Sequence, residues 1–254
     1  MKSAQPVLLG LLSFAAILVA WETGARLGWL NPFFTSQPTA IARALLDQTE
    51  SGELARSVGV SLVEFTAGFG AAIIVGLTLG IVGGWFRTIE YALDPYIWFV
   101  YSTPLIAFYP LFVLWLGLGT HTVMAISFLL SVTPITVNTI AGMRSVDPLL
   151  VRAARSFGAR PGDLLWKVSL PASVPMIAAG LRLGVGRALT GVVIAELFVP
   201  SGGLGSSIAY NAGLLRTTNM LASLAVIVVI GVICTQTLSA LEARLSAWRT
   251  GPGL

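Results

Sequence analysis

The hydrophobic positions of this chain gather into long runs separated by short polar stretches, and run length sets the first expectation. At about 1.5 Å of rise per helical residue, about 20 apolar residues cross a bilayer core. Runs of that size fall at about 6–27, 57–85, 95–116, 122–143, 175–199 and 220–241. They predict an all-α, polytopic integral membrane protein: one transmembrane domain over 1–254 with about six transmembrane helices. Between the first two runs, residues 31–56 are polar, with Pro32, Pro38 and a short interfacial helix expected over 39–48. In the second run Gly68, Ala72, Gly76, Gly80 and Gly84 recur every fourth residue, a stripe that lets a neighbouring backbone approach closely. The third run is interrupted at Pro104 and Pro110. Asp94 and Pro95 read as a helix cap followed by a first-turn proline. A Gly/Ser-rich hairpin over 200–207 leads into a polar connection ending near Asn219. No internal repeat is visible.

The largest polar interruption, 147–171, has a design of its own. Asp147 caps a helix whose first residue is Pro148. Gly158 suits the left-handed residue after that helix, and Pro161 opens a second one. Asp163 near its start and Lys167 near its end complement the helix dipole. The second short helix shows Leu164, Leu165, Trp166 and Val168. Two short helices meeting at a glycine elbow, too polar to span and rich in apolar anchors, fit a docking surface for another protein. A loop that merely ties two spans together fits the periodicity equally well.

Composition narrows the class. A hydrophobic share of 56 % with 10 % charged residues excludes an ordinary soluble globular domain. The net charge of +4 is scattered, so no basic patch supports a nucleic-acid partner. One cysteine, Cys234, excludes an intrachain disulfide framework, and one histidine, His121, argues against a metal site. The apolar run after Lys2 continues past Glu22 and reads as a retained first helix rather than a signal peptide. Basic residues set orientation. With the N-terminus inside, Lys2, Arg87, Arg144, Arg152, Arg155, Arg160, Lys167, Arg244 and Arg249 are cytoplasmic, against Arg26, Arg43, Arg56 and Arg216 outside. Nine against four places both termini and the 147–171 loop in the cytoplasm.

The only lysines, Lys2 and Lys167, follow no glycine, so the chain has no phosphate-binding P-loop and is expected to bind no cofactor itself. A Gly-x-Ser-x-Gly elbow is also lacking, which leaves no hydrolase reading. Polar groups inside spans are then the functional suspects. Glu196 lies near one end of the fifth span, where a packing carboxylate is the plain alternative. Arg182 and Arg187 either face a pathway or snorkel to the interface, snorkelling being favoured for Arg182. Tyr101, Ser102, Thr103 and Tyr109 adjoin the two proline breaks, and their hydroxyls either line a pathway or heal freed carbonyls. Glu22 and Glu64 suggest no definite role.

Arg152-Ala153-Ala154-Arg155-Ser156-Phe157-Gly158, with Leu170-Pro171 after it, resembles the EAA loop of binding-protein-dependent ABC importer permeases. Arg152 stands where the family usually has Glu. The resemblance runs over about 33–207. It includes Phe33 to Thr39, Leu93-Asp94-Pro95, Thr103-Pro104 to Pro110-Leu111, Trp115-Leu116-Gly117, Asn138-Thr139 with Gly142, and Ala195-Glu196 followed by Gly203-Leu204-Gly205. Tyr101 takes a place where many relatives carry Arg. The chain looks like a permease of the nitrate/sulfonate/taurine group, with a type I importer fold. That likeness implies ATPase subunits docking on Arg152, Ala153, Ala154, Arg155, Phe157, Gly158, Leu164, Leu165 and Trp166. It also implies a second permease copy, an extracytoplasmic binding protein, a bacterial-type inner membrane, and ATP and Mg used only by the ATPase. Tyr101, Ser102, Thr103, Tyr109, Arg187 and Glu196 are the candidate pathway lining for a small, anionic solute. An ion-coupled secondary transporter and a membrane scaffold are the rival classes. The first would show midplane acidic or histidine relays, for which only Glu64 and Glu196 stand.

Overall fold

The computed structural model describes residues 5–245, and among these residues every regular element is helical. The order is α1 (Gln5–Arg26), α2 (Pro32–Thr35), α3 (Pro38–Glu50), α4 (Glu53–Trp85), α5 (Arg87–Ser102), a 3-10 turn (Leu105–Phe108), α6 (Tyr109–Leu116) and α7 (Thr120–Arg144). The chain continues through α8 (Pro148–Ser156), α9 (Pro161–Asp163), a π turn (Leu164–Ser169), α10 (Leu170–Phe198), α11 (Leu204–Gly213) and α12 (Thr217–Leu245). Lys2 and Arg249, used above to orient the chain, lie outside the described residues.

Helix α7 is the axis of the bundle, packed along α4 on one side and α10 on the other. Small residues make both contacts close. A Cβ on Gly80 would lie 2.4 Å from the Thr139 Cβ, and one on Gly84 would lie 2.4 Å from the Met143 Cβ. With lipid outside and no water to expel, close packing of this kind is what holds apolar helices together. The hydroxyls of Ser131, Thr136 and Thr139 on α7 donate to carbonyls one turn back, so burial leaves them satisfied. A buried cluster of Phe65, Val123, Ile126, Val185, Ala188 and Val192 joins the three helices. Helix α3 is amphipathic and lays Ile41 and Ala44 against Ala222 of α12.

Among the described residues, five helices are long and apolar enough to cross a membrane: Leu8–Arg26, Glu53–Trp85, Thr120–Arg144, Pro161–Phe198 and Thr217–Ala240. The bent pair Arg87–Ser102 and Leu105–Leu116 makes a sixth if it is one span. Its two halves meet at 82°. The bend falls at Thr103, which is extended (ψ 129°) because the ring of Pro104 disfavours helical backbone in the residue before it. Pro110 breaks nothing, since it lies in the first turn of α6 where its missing N–H is not needed.

Besides Pro110, three sequence expectations are corrected here. Asp94 and Pro95 lie within α5, which begins at Arg87, so they are no helix start. The helix that carries the fifth span does not begin near 175: it is continuous from Pro161 to Phe198, with Pro175 inside it. Pro171 falls in the first turn of α10, where a proline is accommodated, and the π turn absorbs the change of register before it. The polar connection after the hairpin contains α11, packed between α10 and α12.

Candidate functional site

The 147–170 elbow is built from local rules. The Asp147 carboxylate accepts the Leu149 N–H at 2.8 Å and starts α8. The helix ends with Ala159 N–H donating to the Ala154 carbonyl and Gly158 N–H to the Arg155 carbonyl, the two bonds of a Schellman motif. Gly158 has φ +81°, which the motif requires and glycine supplies without strain. The Asp163 carboxylate accepts the Arg160 N–H, starting the next helix, and Lys167 Nζ lies 2.7 Å from it. That hydrogen bond with Lys167 holds the Asp163 carboxyl below its ordinary pKa.

This elbow leaves Phe157 93 % and Trp166 67 % exposed, with Arg152, Ala153 and Arg155 exposed beside them. Leu164 differs from its expected role: at 4 % exposure it is packed inside the chain and presents no surface to a partner. The cause is the helix continuity noted above, which turns Leu164 toward the protein and Trp166 away. Leu165 and Ala154 are half-buried. A cleft of about 610 Å³ beside the elbow takes in Phe86, Arg144, Arg152 and Arg155, and Arg144 is paired with Glu90 of α5.

The six pathway candidates separate. Tyr101, Thr103 and Arg187 line one cavity of about 200 Å³ with Thr133 and Pro134. Ser102 donates its hydroxyl to the Trp98 carbonyl, and Thr103 donates to Phe99 O at 2.6 Å, so both hydroxyls serve their own helix at the break. Tyr109 is stacked on Phe198, ring centroids 4.8 Å apart, against the apolar cluster. Glu196 is 1 % exposed and lies in a different, buried corner.

In that corner, at the end of α10 remote from the elbow, the sequence had signalled Glu196 and the glycine hairpin but neither Ser61 nor a role for Glu64. Glu196 accepts Ser61 Oγ at 2.6 Å and the Gly205 N–H, while Ser61 accepts the Leu204 N–H at 2.8 Å. Glu64, one turn beyond Ser61 on α4, is fully buried against Glu196. A Cβ on Gly203 would lie 1.9 Å from Glu196 Oε1, so only glycine admits the hairpin here. The available signal was the register 61, 64, 68, 72, which puts Ser61 and Glu64 on the buried glycine face of α4.

The described residues form a bundle with several helices of membrane-crossing length and an exposed, aromatic-tipped elbow, a build that suits a membrane transport subunit. The comparisons agree. A family model for the binding-protein-dependent transport system inner membrane component matches residues 72–247, and the chain belongs to that family. It is 32 % identical over 252 residues to the taurine transport system permease protein TauC of Escherichia coli (strain K12), covering 96 % of this chain and 91 % of that one. A Bacillus subtilis (strain 168) permease named for aliphatic sulfonates is 31 % identical over 240 residues, covering 94 % and 87 %. The fold is like that of the MetNI methionine ABC transporter in an inward-facing conformation. The TM-score is 0.60 at 19 % identity, over 76 % of this chain and 96 % of that one. The protein is a multi-pass membrane permease of an ABC importer.

Proposed function

We propose that this permease forms the pathway for a small sulfonate-class anion and takes its motion from separate ATPase subunits bound at the 147–170 elbow. The observation that carries the coupling half is the pair of exposed aromatic rings, Phe157 and Trp166, on a rigid elbow amid exposed arginines. Exposed aromatics on a fixed frame are what a partner's groove engages most strongly. ATP and Mg then belong to the ATPase, and this chain binds no cofactor. A second permease copy completes the pathway, an extracytoplasmic binding protein delivers the solute, and both termini and the elbow face the cytoplasm. The substrate half rests on the names of the taurine and sulfonate relatives and on Arg187, whose charge lines the Tyr101–Thr103 cavity. A guanidinium offers a fork of N–H donors suited to an oxyanion.

The test is uptake of radiolabelled taurine into proteoliposomes holding permease, ATPase and binding protein. Arg187→Gln is expected to reduce uptake at least about tenfold, the factor that about 1.4 kcal/mol represents, with the complex intact. Undiminished uptake in that variant removes Arg187 from the pathway.

A further inference from the structure

Among the described residues, Glu64 and Glu196 are the acidic side chains that are fully buried, at 0 % and 1 % exposure, and the transport reading uses neither. Their carboxyls are in contact across the α4–α10 interface, beside the hydroxyls of Thr120 at the start of α7 and Ser201 in the hairpin. The two are supplied unequally. Glu196 accepts donors at both oxygens, from Ser61 Oγ and the Gly205 N–H. Neither oxygen of Glu64 has a hydrogen-bond partner at ordinary distance, and the buried Ser201 hydroxyl nearby is likewise without one. The ion pairs Glu22 with Arg26, Glu90 with Arg144 and Asp163 with Lys167 lie elsewhere. The ionisable group that acts on Glu64 is Glu196, while Glu53 and Arg56 line the open cleft beyond Ser201 and Gly203.

Two buried carboxylates in contact repel strongly, and one shared proton removes that repulsion and gives one Glu64 oxygen a partner. Donors at Glu196 favour its charged form, so the proton belongs to Glu64. We propose that Glu64 is held as the neutral acid and donates its O–H to the Glu196 carboxylate. This one-proton carboxyl pair joins α4 to α10 beneath the glycine hairpin, whose Leu204 and Gly205 N–H groups are held by Ser61 and Glu196. The latch lies directly beneath the cleft of about 550 Å³ lined by Arg56, Ser201, Gly203 and Tyr210. The hairpin that lines this cleft is held by Ser61 and Glu196, and the proton joins the two helices that carry them.

Infrared spectroscopy of the full-length permease in lipid nanodiscs, with isotope-labelled glutamate, reads the proton directly. At neutral pH the wild type is expected to show a protonated-carboxyl C=O band. Glu64→Gln abolishes this band, and Glu196→Gln leaves it in place with a shifted frequency. Thermal unfolding adds a second readout. Glu64→Gln, whose amide still donates, melts near the wild type, whereas Glu64→Ala, which leaves Glu196 facing a void, melts several degrees lower. A wild type with no such band overturns the proposal even if every variant fails to insert. A band that survives Glu64→Gln and is lost in Glu196→Gln overturns the assignment of the proton to Glu64. Equal melting of Glu64→Gln and Glu64→Ala overturns the latch.

Discussion

The elbow at 147–170 and the glycine corner at Glu196 lie at opposite ends of α10 and are held together by different physics. The elbow is local: a capping carboxylate, a Schellman motif and an i,i+4 ion pair, all within residues of one another and mostly exposed. The corner is non-local: Ser61 reaches Glu196 across 135 positions and Leu204 across 143. The elbow's bonds stay within a few residues while its aromatic tips remain uncovered, so a change there alters what the chain can bind more than whether it folds. The corner buries every group it uses, so a change there has no solvent to relax into.

The largest expected effect tests the corner. Gly203→Ala places a methyl group on Glu196 Oε1 and Ser61 Oγ, and should cost about 3 kcal/mol or more, in the upper range for overpacking. A loss of folded permease, followed by size-exclusion chromatography and thermal unfolding, is the outcome; a normal melting curve would mean the corner yields easily.

Next comes a contrast inside the elbow. Leu164→Ala should lower thermal stability by about 2 kcal/mol or more, because it opens a cavity. Trp166→Ala should leave stability unchanged and weaken ATPase binding by about 2–4 kcal/mol, seen as lost co-purification. If both variants behave alike, the division between a buried face and a docking face is wrong.

A smaller effect is expected at Asp147→Ala. Removing the bond to the Leu149 N–H should cost about 1 kcal/mol, with amide hydrogen exchange rising in the first turn of α8 only. Spread of exchange into α7 would show that the elbow is less local than its bonds suggest.

The smallest effect belongs to Ser102→Ala. Its hydroxyl serves the Trp98 carbonyl at an exposed break, so stability and uptake should both stay within about 0.5 kcal/mol of the parent. A marked uptake defect would return Ser102 to the pathway.

What the sequence determined by itself is what short-range rules control. Run lengths predicted the membrane-crossing helices, and the fourfold stripe from Gly68 to Gly84 predicted the face of α4 that meets α7. The elbow was legible down to the Asp147 cap and the left-handed Gly158, because caps and C-terminal glycine motifs depend on neighbours in the chain. Tertiary structure decided the rest. Local signals could not show that Pro161 opens one helix running to Phe198, because Pro171 and Pro175 look like breaks until packing holds the helix through them. That continuity turned Leu164 inward and left Trp166 outside. Nor could spacing join Glu64 to Glu196, since two carboxyls on helices far apart in the chain meet only when α4 and α10 fold against the same side of the bundle. A buried charge carries no sign of its partner in the sequence, because its energy depends on what surrounds it in space.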